Sequence, residues 1–144
     1  MKNIDEFPVR ARFPISYVDM GMFNHVNNVN FFRYFENARA EYFNEVGIWE
    51  MNKKSGIAAI LAETKCKFLQ PLVYPDNLIV GAKVTSVRQT SFIMEYLIVS
   101  ETVGVAATGE GVLVMYDYNT SQKTRVPEEI RTAIEELENR PGAK

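Results

Sequence analysis

Three kinds of side chain that can act on a carbonyl group lie close together between Asp19 and Asn28. They are the carboxylate of Asp19, the imidazole of His25 and the amides of Asn27 and Asn28. A carboxylate or an imidazole can take a proton from water, and an amide can donate a hydrogen bond to a carbonyl oxygen. His25 is the only histidine in the chain. A single histidine can also be purely structural, so both interpretations of His25 stay open.

The stretch after these residues predicts one long helix, from about Asn28 to about Val46, which would place them at its start. Asparagine is a good N-cap, and Gly47 suits the left-handed residue that ends a helix. Unpaired N–H groups and the positive end of the helix dipole favour a carbonyl oxygen or an anion there. The alternative is that the two asparagines only cap the helix. Apolar residues at three- and four-residue steps predict a buried face, formed by Phe31, Phe32, Phe35, Ala38, Tyr42, Phe43 and Val46.

Other residues are candidates for polarising the carbonyl, for activating water and for binding the substrate. Backbone N–H groups from Asn27 to Val29 would polarise a bound carbonyl, and Glu63 is a second candidate acid beside Asp19. Cys66 and Ser16 are weaker candidates for a nucleophile, because neither has a histidine at an arguable spacing. Candidate substrate-binding residues are Tyr17, Val29, Phe31 and Phe35 for an apolar group, and Lys65, Lys67 and Arg88 for phosphates.

Composition bounds the class of protein. With 144 residues and 47% hydrophobic content, the chain predicts a single domain spanning 1–144. A net charge of -2 without a basic run argues against nucleic acid as a partner. One cysteine and one histidine make an intramolecular disulfide impossible and a structural zinc site improbable, so we expect a cytoplasmic protein without a metal. The apolar runs are too short to cross a bilayer, and the amino terminus does not have the pattern of an export signal.

The remaining pattern predicts an α+β fold. Strands are expected at 9–18, with Pro14 causing an edge or bulge, and at 57–69, 78–87, 92–100 and 103–118. Pro127 opens a C-terminal helix. A curved antiparallel sheet of about five strands wrapped around the long helix would bury its aromatic face with short connections. Such a sheet has exposed edges, so pairing of two subunits is expected.

Two sequence blocks carry a resemblance to a known family. The block DMGMFNHVNN before FFRYFENARAEYF, followed two elements later by KFLQPLVYPDNLIVG, resembles the hotdog-fold acyl-CoA thioesterases of the 4-hydroxybenzoyl-CoA thioesterase type. The likeness spans roughly residues 8 to 138. It implies a homodimeric or homotetrameric enzyme that hydrolyses fatty or aromatic acyl-CoA esters. It also implies active sites at the subunit interface near the helix start, and no cofactor beyond the coenzyme A of the substrate.

One position departs from the family pattern. Members with this block usually carry two acids in a D-x-D arrangement, and here Gly21 stands at the second, catalytic one. Either Asp19 or Glu63 then supplies the base, or the fold has kept the pocket without the chemistry. The alternative functions are therefore a non-catalytic protein that binds acyl-CoA or acyl carrier protein and, less favoured, a hydratase or dehydratase.

Overall fold

One antiparallel sheet and three α-helices form the part of the chain that the computed structural model describes, residues 2–140. Single 3-10 turns lie at Ile4–Glu6 and Tyr17–Asp19. In chain order the other elements are β1 (Val9–Pro14), α1 (Val29–Val46), α2 (Ile48–Ser55), β2 (Ile57–Phe68), β3 (Asn77–Val87), β4 (Ser91–Ser100), β5 (Gly104–Asp117), β6 (Gln122–Lys123) and α3 (Glu128–Glu138).

The sheet is curved around α1, with the strand order β1-β3-β4-β5-β2, and the two-residue strand β6 pairs with β5. Every neighbouring pair is antiparallel. The predicted hotdog fold, a five-stranded curved sheet around one central helix with a C-terminal helix, is confirmed. Strand β2 lies at one end of this order and leaves one of its edges unpaired within the part of the chain described. That edge is available for pairing with another strand.

Helix α1 begins and ends within one residue of the prediction and buries the predicted aromatic face. Phe35 stacks on Tyr96 of β4, with ring centroids 4.8 Å apart. A Cβ at Gly109 of β5 would collide with the Phe35 ring, so this glycine lets the helix lie close to the sheet. Two buried residues of α1, Tyr34 and Arg39, lie outside the predicted set. Both carry apolar parts that pack and polar tips that hydrogen-bond.

The first strand is shorter than predicted, and its end sets up the site. Strand β1 ends at Pro14, and the N–H of Ile15 makes one further bond in the same register, to the backbone oxygen of Asp76 at 2.9 Å. The chain then forms the 3-10 turn that ends at Asp19. The connection after Gly47 is the eight-residue helix α2. No helix between residues 2 and 140 has the length and hydropathy to cross a membrane.

The amino-terminal segment covers part of the outer, convex face of the sheet. Phe7 is fully buried there against Gly81, and Lys2 forms an ion pair with Glu95 at 2.6 Å. Lys83 lies over the Phe7 ring at 4.8 Å. The outer face therefore has a small apolar cluster of its own, separate from the core beneath α1.

Candidate active site

The loop that joins the 3-10 turn to α1 is fixed at both ends. Gly21 donates its N–H to the oxygen of His25 at 2.8 Å, and Met20 and Val26 form an isolated β-bridge. Val26 is fully buried and donates to the oxygen of Leu72 at 2.7 Å. Asn24 at the loop's tip has a left-handed φ of 63°, which asparagine tolerates better than most residues. The loop is therefore a tight, anchored turn that presents His25 beside the helix start.

The two asparagines at the start of α1 differ in what they do. The side-chain oxygen of Asn27 accepts from the N–H of Val29 at 3.1 Å, and its own N–H donates to the oxygen of Asp19 at 2.9 Å. Asn27 is thus used in capping. Asn28 makes no side-chain capping bond and is exposed. Within residues 2–140 its backbone N–H has no hydrogen-bond acceptor, so Asn28 offers two kinds of free donor at the positive end of the helix.

A cavity of about 220 Å³ lies between the helix start and the end of β2. Its apolar wall includes Phe31 and Phe68, whose rings meet edge to face with centroids 4.9 Å apart. Its polar lining residues are His25, Asn28 and Gln70. An apolar recess with a few polar groups at its edge is the usual form of a small-molecule site.

His25 is held in one orientation by its own backbone neighbour. Its Nδ1 lies 3.0 Å from the backbone oxygen of Val26. Because a carbonyl oxygen only accepts, Nδ1 must carry the hydrogen in this bond. Phe23 stacks against the ring, at 6.5 Å between centroids and 23° between planes. The neutral ring therefore leaves Nε2 as the nitrogen with a free lone pair.

Asp19 lies near the helix start, but its carboxylate contacts Tyr34 and not the cavity. Its Oδ2 accepts a hydrogen bond from the hydroxyl of Tyr34 at 2.8 Å, and its backbone oxygen accepts from the side chain of Asn30 at 3.0 Å. Burial raises the pKa of Tyr34, and the hydrogen bond to Asp19 and the negative charge of Asp19 raise it further. Asp19 is not among the residues that line the cavity. Its contacts fasten the 3-10 turn to the first turns of α1.

Glu63 and the candidate lysines lie on the outer face of the sheet. Glu63 pairs with Val112, and Lys65 with Glu110, whereas Thr64 and Cys66 pair with glycines that lie under α1. Since neighbours in a strand point to opposite faces, Glu63 projects away from the cavity. Lys65 forms an ion pair with Glu110 at 3.2 Å. A cleft of about 310 Å³ brings Lys65 and Lys67 together with Lys2, Cys66, Thr108, Gly109 and Glu110.

The other predicted binding residues are spread over several places. Phe35 is 1% exposed and belongs to the core, whereas Val29 is 68% exposed at the helix start. Tyr17 is also exposed, and its ring meets that of Tyr74 at 5.4 Å. Arg88 lies in the turn between β3 and β4. That turn is at the opposite end of the sheet from Phe68, because Ser91 pairs with Val114 whereas Phe68 pairs with Ala107.

The competing nucleophiles have no activating partner among residues 2–140. Burial raises the pKa of the Cys66 thiol to about 11, which disfavours the reactive thiolate. The N–H of Ser16 donates to Asp19 at 3.4 Å, and its side chain makes no capping bond. No group of three or more histidine, cysteine, aspartate or glutamate residues within 2–140 is placed to hold a metal ion.

The PLVYPDN block has a structural role in this chain. The Asp76 carboxylate accepts hydrogen bonds from the hydroxyls of Ser100 and Thr102, the latter at 3.1 Å, and from the N–H of Asn77 at 2.8 Å. These bonds join the turn between β4 and β5 to the start of β3. The block therefore fixes the backbone around Leu72, whose oxygen accepts the hydrogen bond from the N–H of Val26.

Comparison with known proteins agrees with this fold. The sequence pattern of the thioesterase-like superfamily matches residues 13–134. The chain belongs to this superfamily. The thioesterase fold thus accounts for the long helix and the curved sheet.

Individual relatives of this thioesterase-like chain have been solved or named. It is similar to a thioesterase from Thermus thermophilus solved in complex with coenzyme A and zinc, with a TM-score of 0.82, 32% identity, and coverage of 94% of this chain and 98% of that one. A protein of Aquifex aeolicus (strain VF5), named as a presumed esterase, is 29% identical over 82 residues. The uncharacterized protein YsmA of Bacillus subtilis (strain 168) is 29% identical over 83 residues. These matches cover 56% and 58% of this chain, and 64% and 55% of the two relatives' own lengths.

Proposed function

We propose that the protein hydrolyses the thioester bond of an acyl-CoA, releasing the free acid and coenzyme A. The observation that carries the proposal is the pair of free donors on Asn28, the backbone N–H and the side-chain amide, beside the apolar cavity. Membership of the thioesterase-like superfamily and the coenzyme A bound to the Thermus thermophilus relative support it. The fatty or aromatic nature of the acyl group is part of the proposal.

The reaction needs donors placed where negative charge develops. When water attacks the thioester carbonyl, its oxygen becomes an oxyanion, which fixed N–H groups stabilise. The N–H groups of Asn27 and Val29 already have acceptors, at 2.9 and 3.1 Å. The free N–H of Asn28 is therefore the donor that we assign to this oxygen. Phe31 and Phe68 would hold the acyl group, and Val29 would lie at the mouth of the site.

The lysine cleft on the outer face is the proposed place for the phosphates of coenzyme A. Lys65 and Lys67 lie beside Phe68, where β2 reaches the cavity, and Lys2 lines the same cleft. Lys2 and Lys65 would exchange their ion pairs with Glu95 and Glu110 for the phosphates. Lysine binds phosphate as a point charge. Arg88 lies at the far end of the sheet and does not belong to this group. Coenzyme A serves only as part of the substrate, because the chain's own groups supply polarisation and proton transfer.

A second copy of the chain is the proposed partner. Strand β2 has an unpaired edge within the described residues and exposed apolar side chains, including Leu61 at 37% and Phe68 at 42%. Pairing of two β2 strands would complete the sheet and cover these side chains. Phe68 also lines the cavity, so such a homodimer, or a tetramer built from it, would place the site at the subunit interface.

Release of free thiol from a panel of short, medium, long and aromatic acyl-CoA esters tests the activity. Asn28→Ala keeps the backbone donor, whereas Asn28→Pro removes it, and the φ of -53° at Asn28 suits a proline ring. We expect turnover by Asn28→Pro to be about a hundredfold lower than that by Asn28→Ala. Equal turnover by the two folded variants would refute the assigned donor. No thiol release from any ester would refute the activity.

One observation favours a second candidate function, binding of acyl-CoA or acyl carrier protein without turnover. Gly21 brings no carboxylate to the position where the family pattern places its catalytic acid, and none of the residues lining the cavity is an acid. Tight binding of an acyl-CoA thioether by calorimetry, together with absence of thiol release, would select this function.

A further inference from the structure

Proton transfer at the cavity needs a group that can accept a proton. The polar lining residues are His25, Asn28 and Gln70. Amides are poor proton acceptors, since their oxygens accept hydrogen bonds without taking the proton. His25 is therefore the one lining side chain with the chemistry of a general base.

The two candidate carboxylates are both directed elsewhere. The Asp19 carboxylate accepts from the Tyr34 hydroxyl at 2.8 Å, and Tyr34 is only 4% exposed. Glu63 projects from the outer face of the sheet, beside Val112 rather than towards α1. Neither lines the cavity. A water molecule bound in the cavity would meet the imidazole of His25 before either acid.

The ring of His25 is already arranged for this role. Its Nδ1–H bond to the Val26 oxygen, at 3.0 Å, leaves Nε2 without a hydrogen. Val26 is fully buried and fixed by the oxygen of Leu72, so this acceptor does not depend on a mobile side chain. In serine hydrolases a carboxylate holds the catalytic imidazole in the same way. Here a backbone carbonyl supplies that function.

We propose that Nε2 of His25 is the general base of this site and that Asp19 serves to fasten the loop to α1. This inference rests on the proposed hydrolysis. The oxygen of a water molecule bonds to the thioester carbon while one of its protons passes to Nε2. The carbonyl electron pair moves to the oxygen, which the N–H of Asn28 stabilises. The pair then returns, the carbon–sulfur bond breaks with its electrons on sulfur, and the imidazolium gives its proton to the leaving thiolate.

The tautomer can be measured directly, because the chain has one histidine. Two-bond ¹H–¹⁵N correlation of the ¹⁵N-labelled protein, at an alkaline pH where the ring is neutral, distinguishes Nδ1–H from Nε2–H. We expect Nδ1–H. Observation of the Nε2–H form would overturn the proposal, whatever the activity of the protein.

Chemical rescue tests the base itself. We expect His25→Ala to lower kcat/KM about a hundredfold or more, and added imidazole to restore part of it. Added imidazole should not restore the kcat/KM of Asn28→Ala, which is the matched control at the same cavity. Asp19→Asn and Glu63→Gln test the competing acids. Failure of imidazole to restore His25→Ala, together with loss of turnover in either acid variant, would give the role to that acid.

The results that would refute His25 as the base differ from those that would refute the proposed hydrolysis. If the protein hydrolyses an ester and its histidine has the Nε2–H form, only the assignment of His25 as the base is refuted. Absence of hydrolysis by the wild-type protein on every ester refutes the proposed activity and the base with it, even if Nδ1–H is found. Nδ1–H, hydrolysis and imidazole rescue together support both.

Discussion

Asn27 and Asn28 show how two identical side chains acquire different roles at one helix start. Asn27 has its N–H bonded to Asp19 and its side chain bonded to Val29. Asn28 has helical backbone angles and an exposed side chain. A position that is helical but not capped is the one whose donors remain free for a ligand. The difference comes from the turn before the helix.

Gly21 leads to a prediction at the same scale. A Cβ at Gly21 would lie 3.5 Å from the Cβ of Asn27, an ordinary contact, and the backbone there has no left-handed φ. Gly21→Asp should therefore fold normally and place a carboxylate beside the helix start. We expect kcat/KM for acyl-CoA hydrolysis to rise by about tenfold or more, since a second proton acceptor joins the site.

Gly21→Asn is the control, because it has the same size without the charge. It should show no gain. Equal thiol release by the two variants would mean that a carboxylate at position 21 takes no part in the reaction. Unfolding of both variants by heat should match that of the wild-type protein within a few degrees.

The sequence predicted which residues gather at the start of α1 but not what each of them contacts. His25, Asn27 and Asn28 lie together at the helix start, as the pattern indicated. The roles of Asn27 and Asn28 could not be separated, because their capping preferences are the same. Tyr34 was missed, although it lies three residues after Phe31 on the buried face, and its bond to Asp19 joins residues that the helical pattern alone does not relate.

At the scale of elements, α1 is tied to its surroundings by two tyrosine–carboxylate bonds. Near its start Tyr34 donates to Asp19 at 2.8 Å, and two turns later Tyr42 donates to Glu138 of α3 at 2.5 Å. Glu138 also accepts from the N–H of Val84 at 2.8 Å, where the register of β3 against β4 shifts. The helix is thus joined to the site at one end and to α3 and the sheet at the other.

The second of these bonds predicts a pH-dependent stability. Burial raises the pKa of Glu138, although the bonds from Tyr42 and Val84 and the charge of Lys83 lower it. Because the folded pKa is raised, this contribution to stability is fully present below the unfolded pKa and is lost as pH rises through the folded value. Glu138→Gln has no charge to bury. Its Tm minus the wild-type Tm should therefore increase from acidic to neutral pH.

Glu135→Gln, on an exposed position of α3, is the control for this measurement. Its difference from the wild-type Tm should change little across the same range. A Glu138→Gln difference that stays constant with pH would show that the carboxylate does not bind protons more readily in the folded state.

Periodicity predicted the elements better than their ends. Helix α1 and the three strands from Asn77 to Asp117 lie close to their predicted bounds, because their buried faces repeat regularly. The predicted strand 9–18 ends early: Ile15 still bonds to Asp76 in the register of β1 and β3, and the chain then enters the 3-10 turn at Tyr17–Asp19. That turn is held by the bond from Tyr34 to Asp19, a contact that no local pattern could indicate.

At the scale of the whole molecule, the sheet is closed at neither end. The edge of β2 is unpaired within the described residues, and Leu61 and Phe68 expose apolar surface near it. If a second copy covers this face, the protein should behave as a multiple of its 16.4 kDa subunit. Leu61→Glu would place a charge in that interface at a side chain that is 37% exposed in the single chain.

We expect light scattering after size-exclusion chromatography to give at least twice the subunit mass for the wild-type protein and a lower mass for Leu61→Glu. Val103→Glu is the control, since Val103 is similarly exposed, at 43%, in the turn between β4 and β5. A monomeric wild-type protein would refute assembly through β2. Loss of assembly in both variants would indicate a general effect of added charge.

The tolerance of Gly21 for a Cβ also has a genetic consequence. Two of the glycine codons, GGU and GGC, become aspartate codons by a single change of the second base. Since the folded chain can hold the larger side chain without backbone strain, such a change would not have to pass through an unfolded protein. A lineage carrying this loop could therefore gain or lose an acid at position 21 in one mutational step.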